Sequence, residues 1–307
     1  MERIDAAILQ TVLYADVFNF PMTAEEIHHF LIHDEPTSLA QIHNALAHSP
    51  LLRETLEQRE PYYFYAGRSE IVSVRQMREA ASQYLWPQAV RSGKWLARLP
   101  FVRMVALTGA LAMHNAAADD DDLDYLLITA PGRVWLARGF AVLLVRLART
   151  RGVTICPNYV LAETALVQER HNIFMAHEVV QMVPMFGHDV YERFRSENEW
   201  VSSYLPNARG AFYDEAEWSP RHGWAWLKRV CEFILGGWIG SRLERWEHQR
   251  KLSRFASEMQ KPHSAARLDE NHVKGHFDDH GHPVLRQYYE RLRQYGIATQ
   301  PDAVTGD

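Results

Sequence analysis

Apolar residues recur at helical spacing from the first turns of the chain. Ile4, Ile8, Val12, Leu13 and Val17 fall on one face and predict a helix over 4–19. Pro21 breaks it. Thr23 and Glu26 then make the pattern of a capping box and open a second helix through about Ile32. Thr37 or Ser38 caps a third, whose stripe is Leu39, Ile42 and Leu46. Leu51-Leu52-Arg53 and Tyr62 to Tyr65 read as two short strands around a polar turn.

A long helix follows over 69–98, with Pro87 placed to kink or divide it. Val102 to Leu107 is an apolar strand ending at a glycine turn, Gly109, and a short helix at about 110–116. Residues 122–128 alternate as a strand. Beyond the turn at 129–132 a helix with a broad apolar face runs from Arg133 to the Arg151-Gly152 stop. Residues 153–161 form a further strand, in which Pro157 predicts an edge or a bulge. From Leu166 the pattern is helical, clearest over 174–182, and the aromatic residues from Tyr191 to Tyr204 read as core. After an acidic loop at 210–220, residues 222–257 are strongly helical, and Gly236, Gly237 and Gly240 permit close packing or a kink. The histidine-rich stretch 272–282 has the i, i+4 spacing of a zinc site. Its glycines and the lack of a nearby cysteine favour a polar connector before a last helix, 284–295. The expected division is 1–68, 69–165, 166–297, and a disordered tail over 298–307.

Three helices and a hairpin make a winged-helix pattern, which raises DNA binding through the third helix. Charge argues against it. Residues 1–68 hold ten Asp and Glu against four Arg and no Lys, and SLAQIHNALAH carries no Lys or Arg. Such a module cannot neutralise phosphates, so docking or dimerisation, including a homodimer, is the expected role. Composition otherwise narrows little: 47% hydrophobic, 23% charged and a net charge of −5 describe a globular protein. Two cysteines, Cys156 and Cys231, imply no disulfide framework. The N-terminus lacks a signal-peptide pattern and no apolar run is long enough to span a bilayer, so a cytoplasmic location and no membrane partner are expected.

The chemistry is concentrated in 105–129, VALTGALAMHNAAADDDDLDYLLIT. In a strand, Asp122 and Asp124 share a face about 7 Å apart, at roughly 3.3 Å per residue. Two carboxylates so placed repel unless a cation sits between them, and a hard divalent ion does this best. Asp119, Asp120 and Asp121 read instead as a solvated loop. Gly109, 13 residues before Asp122, can bring backbone close to a ligand.

With Gly109-Ala110 where a Gly-Ser turn is expected, and with Asp122-Leu123-Asp124 as the acidic pair, the chain resembles the nucleotidyltransferase superfamily of DNA polymerase beta. Looser marks, Asn158-Tyr159, Asn198-Glu199-Trp200 and Leu205-Pro206-Asn207, resemble a subgroup with an N-terminal winged-helix-like segment and a helical C-terminal part. The resemblance implies an α+β fold: a polymerase-beta-like mixed sheet flanked by helices. It also implies transfer of a nucleoside monophosphate from an NTP to a hydroxyl-type acceptor, with two Mg²⁺ ions. Asp122 and Asp124 would be metal ligands, and Gly109 and Ala110 would bind the nucleotide phosphates. A third carboxylate is expected beside the pair, and Glu163, just past the next strand, is the candidate. Ala110 in place of serine removes a hydroxyl and weakens the phosphate hold. Two alternatives therefore stand: a degenerate nucleotidyltransferase-like binding or regulatory protein, and a winged-helix regulator that senses a ligand.

Overall fold

The computed structural model describes residues 3–150, 152–259, 267–274 and 281–297, with the side chains of 255–259 left aside. The expectations for the tail, for Arg151 and for His276 and His280 lie outside these residues. The fold is α+β, with a mixed sheet and helices.

The N-terminal elements are α1 (Arg3–Asp16), α2 (Ala24–His29), α3 (Leu39–His48), α4 (Pro50–Thr55), β1 (Leu56–Arg59) and β2 (Tyr62–Tyr65). The expected capping box of Thr23 with Glu26 is present, and of the two candidate caps for the third helix Ser38 is the one used, in a second box with Gln41. The first strand differs from expectation. Residues 51–53 are helical because Ser49 caps α4, accepting from the Leu52 N–H, while Pro50 occupies the first helical position, where its missing N–H costs nothing. The strand starts at Leu56 and pairs antiparallel with β2, and Met22 bridges Tyr63 on its outer side.

α5 (Glu70–Ala97) runs unbroken through Pro87. The central sheet then uses β3 (Val102–Leu107), β4 (Leu123–Thr129), β5 (Ile155–Ala162), β6 (Val183–Phe186), β7 (Arg267–Leu268) and β8 (His272–Lys274), in the order β6-β3-β4-β5-β8-β7. Only β4 and β5 are parallel, joined through α7 (Val134–Arg149); the other neighbours are antiparallel. β5 is thus an inner strand, and the proline it contains marks a bulge. Tyr125 faces Pro157 and Leu126 faces Tyr159, so Asn158 is the extra residue.

Alternation along the strands gives the sheet two apolar faces. One, with Met104, Ala106, Leu126, Ile128 and Leu161, joins a single core with α1, α2, α3, α8 (Ile173–Gln181), α9 (His188–Glu197) and α12 (Gly281–Gln294). The other, with Val105, Leu107, Tyr125, Leu127 and Val160, is covered by α5 and α7. Tyr62 and Phe64 of β2 pack with Ile71 and Val72 of α5 in a small cluster of their own, while most of the N-terminal segment completes the first face. Three polar fasteners hold it there. Asn207 accepts from the Thr37 N–H and donates to the His28 carbonyl. Buried Arg75 of α5 donates to Glu26 at 2.8 Å, and Glu26 also closes its own capping box. Asp16 accepts from Arg68 and, on α12, from Arg291.

The stretch 222–257 divides at its glycines into α10 (His222–Gly236) and α11 (Trp238–Met259). Both are tied to the sheet by acids. Glu232 accepts from the Phe101 N–H and from Arg103, and Glu244 accepts from the Trp135 and Leu136 amides at the start of α7. No helix among the described residues is long and apolar enough to cross a membrane.

Candidate functional site

The site forms where β3 ends and β4 begins. β3 stops at Leu107, and the Thr108 N–H donates to the Asp124 carbonyl, which fixes the turn to the adjacent strand. Gly109 then takes a φ of +69°, in the left-handed region, and opens the four-residue helix α6 (Gly109–Ala112). A Cβ at 109 would stand 2.6 Å from Oδ2 of Asp124. Both the backbone angle and the space require glycine here. Gly109 and Asp124, 15 positions apart, are in direct contact.

Asp124, Leu126 and Ile128 lie on the face that meets the N-terminal helices. Asp124 is half-buried and Asp122 is exposed just ahead of the strand. Burial first, then the charge of Asp122, raises the Asp124 carboxyl to about 7. Asp121 adds to this, and hydrogen bonds from Cys156 and Asn158 oppose it. None of these groups is a cation. A half-buried carboxylate placed beside another is an arrangement that a bound cation relieves; on the protein side, the charge of Arg138 of α7 reaches the neighbouring Cys156.

The neighbours on β5 follow from its register. Asp124 faces Cys156, and the bulge turns Asn158 toward the same place. Cys156 donates to Oδ1 of Asn158 at 3.0 Å, and its thiol is pushed up to about 12 by burial and by the two aspartates. An amide and a neutral thiol thus stand where the resemblance calls for a third carboxylate. Glu163 is not brought to the pair. Its N–H donates to the Thr129 carbonyl at the far end of the parallel strands, five residues on from Asp124, or roughly 17 Å. Its carboxylate pairs with Arg193 at 3.1 Å.

Among the described residues no group of three or more His, Cys, Asp or Glu side chains is arranged to hold a metal. Asp122 and Asp124 are two. Two is the number of carboxylates that Mg²⁺ takes from a protein when it keeps several waters and substrate phosphates complete its shell.

The acidic loop has more structure than a solvated run. Asp119 and Asp120 are exposed, but Asp121 accepts from the Ala117 and Asp122 amides and fixes the approach to the strand. On the far side of Gly109 lies a cavity of about 460 Å³. Gly109, Ala110 and Met113 form part of its wall, Tyr14, Phe18 and Phe30 another, and Phe174, His177 and Glu178 of α8 a third. His177 is buried and stacks on Tyr14 at 4.0 Å; burial lowers it to about 4, so the ring is neutral, its Nδ1 bonded to the Ile173 carbonyl.

The sequence marks Asn158 only as a loose sign of the resemblance and Cys156 only as a free cysteine; it places neither at Asp124, and it does not show this cavity. The Cys-Pro-Asn stretch carried one legible signal, the bulge-forming proline. The cavity carried none, because these walls come from three separate segments of the chain, 14–30, 109–113 and 174–178. Asn198, one of the looser marks of the resemblance, is buried and fully bonded: it donates to Leu166 and Phe194 carbonyls and accepts from Gln168 and Trp200. Its role is to hold the α8–α9 region. No protein-family profile, curated protein or solved structure matches the chain.

Proposed function

We propose that the protein is a polymerase-beta-like nucleotidyltransferase whose reaction centre is Asp122 and Asp124 beneath the Gly109 turn. One observation carries the reading: a carboxylate raised to about 7, next to a second one, in contact with a left-handed glycine that borders an aromatic cavity. In the reaction an acceptor hydroxyl attacks the α-phosphorus of an NTP. The bond to the β-phosphate bridging oxygen breaks, pyrophosphate leaves, and the hydroxyl proton passes to solvent. Asp122 and Asp124 would hold the Mg²⁺, which when bound supplies positive charge to the phosphate oxygens. The first amides of α6 have no intrahelical acceptor and would donate to a phosphate bound beside the Gly109 turn. The aromatic walls suit a flat group, a base or the acceptor, by stacking.

The absent third carboxylate and Ala110 support slow turnover, and they favour the degenerate, binding-only form as the second reading. Thermal denaturation with each of the four NTPs, with and without Mg²⁺, separates them from a protein that binds no nucleotide. A Mg²⁺-dependent rise in Tm that Asp122→Ala and Asp124→Asn both lose supports the site. Either variant retaining the full shift refutes it. Pyrophosphate release under the same conditions divides enzyme from binder.

A further inference from the structure

α10 and α11 present a large apolar surface to solvent. α10 has no buried residue at all. Phe233 is 87% exposed, Trp238 75% and Trp226 65%, with Ile234 and Trp246 close behind. Trp226 and Phe233 are seven positions apart, as are Leu227 and Ile234, so these four share one side of the helix. The chain bends directly after them at Gly236-Gly237, and a Cβ on Gly240 would meet the Leu235 carbonyl at 1.7 Å, which makes the bend depend on that glycine. Phe233, Ile234, Trp238 and Ile239 are thereby gathered at the bend.

The charges around this surface are sorted by sign. From Arg221 to Arg254 every exposed Lys, Arg, Asp or Glu is an arginine. The three acids of the stretch are turned away: Glu232 onto Phe101 and Arg103, Glu244 onto the α7 amides, Glu247 onto Arg250. An amphipathic segment with tryptophans at its apolar border, a bulky apolar tip and cations only is the composition that settles at an anionic lipid interface. A two-fold contact between copies would set arginine against arginine, which disfavours self-association through this face.

We propose that the α10–α11 bend docks on an anionic bilayer surface, with Phe233, Ile234, Trp238 and Ile239 entering the headgroup boundary and Arg242 and Arg245 meeting lipid phosphates. The expectation of no membrane partner rested on span length. That criterion governs crossing a bilayer and is silent on lying against one.

The test is co-sedimentation of the whole chain with phosphatidylcholine vesicles, with and without about one part in three of phosphatidylglycerol. Binding to the anionic vesicles, a blue shift of tryptophan emission, and at least roughly tenfold weaker binding to phosphatidylcholine alone are expected. F233S/W238S and R242E/R245E should each lower the bound fraction about tenfold, with Tm unchanged because these side chains are exposed. Three results overturn the proposal: no binding to either vesicle, binding that the arginine reversals leave intact, or a solution dimer that F233S/W238S dissociates. The last would assign the face to a second copy of the chain.

Discussion

Asp124 has two properties that oppose each other: it is placed for a cation, and in the absence of one it is held close to neutrality. Its carboxyl lies at about 7 in the folded chain against 3.8 for the ordinary group. A raised acid favours folding below its unfolded value, and that contribution is lost as pH climbs through the folded one. Without metal, stability should therefore decline between about pH 4 and 7. Asp124→Asn should restore about 1–3 kcal/mol at pH 8, after allowance for partial exposure, and close to nothing at pH 4. Urea melts at both pH values measure this directly; equal effects at the two would show that Asp124 is not the titrating group. Mg²⁺ affinity should rise with pH through 7, since the ion competes with a proton for the same oxygens. Gly109→Ala meets the Asp124 carboxylate from the other side. It combines a positive φ with a 2.6 Å contact, and a loss of about 1–3 kcal/mol together with all Mg²⁺-dependent nucleotide binding is expected.

Among the elements, the junction of α2 with α5 is the most exacting. Glu26 closes the capping box of α2 and accepts from buried Arg75 and from half-buried Tyr213. Removing one partner strands the other charge. Arg75→Ala or Glu26→Ala should cost about 3–5 kcal/mol, while the double replacement costs less than the sum. A double-mutant cycle in chemical denaturation gives the coupling, and simple additivity would count against a shared network. The bulge in β5 has a different consequence. Asn158 is the extra residue there, and its amide helps restrain Asp124. Asn158→Asp adds the carboxylate that the family pattern calls for, and a stronger Mg²⁺-dependent Tm shift is the expected outcome.

For the whole molecule, most of the segment before residue 68 and the helices α8, α9 and α12 belong to one core over one sheet face. Asp16 joins them, held by Arg68 beyond the hairpin and by Arg291 of α12. Asp16→Ala should release α12 ahead of the sheet, with faster amide exchange over 281–294 than over 123–129. Uniform acceleration would indicate a single cooperative unit instead. The same arrangement explains why the cavity beside Gly109 needs the N-terminal helices: Tyr14, Phe18 and Phe30 are its wall. The acidic N-terminal segment thus turns aromatic side chains inward, onto the wall of that cavity.

What the chain determined by itself is what nearest neighbours decide. Capping at Thr23 and Ser38, the glycine turn after an apolar strand and the strand read over 122–128 all follow from period and turn chemistry over a few residues, while the α+β class came with the resemblance. The Ser49-Pro50 helix start was equally local and was overridden in the reading by the apolar Leu51-Leu52 pair. What the tertiary structure decided is everything that depends on pairing register. Parallel alignment of β4 with β5 sends Glu163 to the far end of the sheet and brings Cys156 and Asn158 to Asp124. Folding of α1 and α2 over the first face makes the cavity, and the turning of Glu232, Glu244 and Glu247 away leaves arginine as the exposed charge from Arg221 to Arg254. A shift of one residue between strands reverses every such assignment at little local cost, so only the assembled core can fix it.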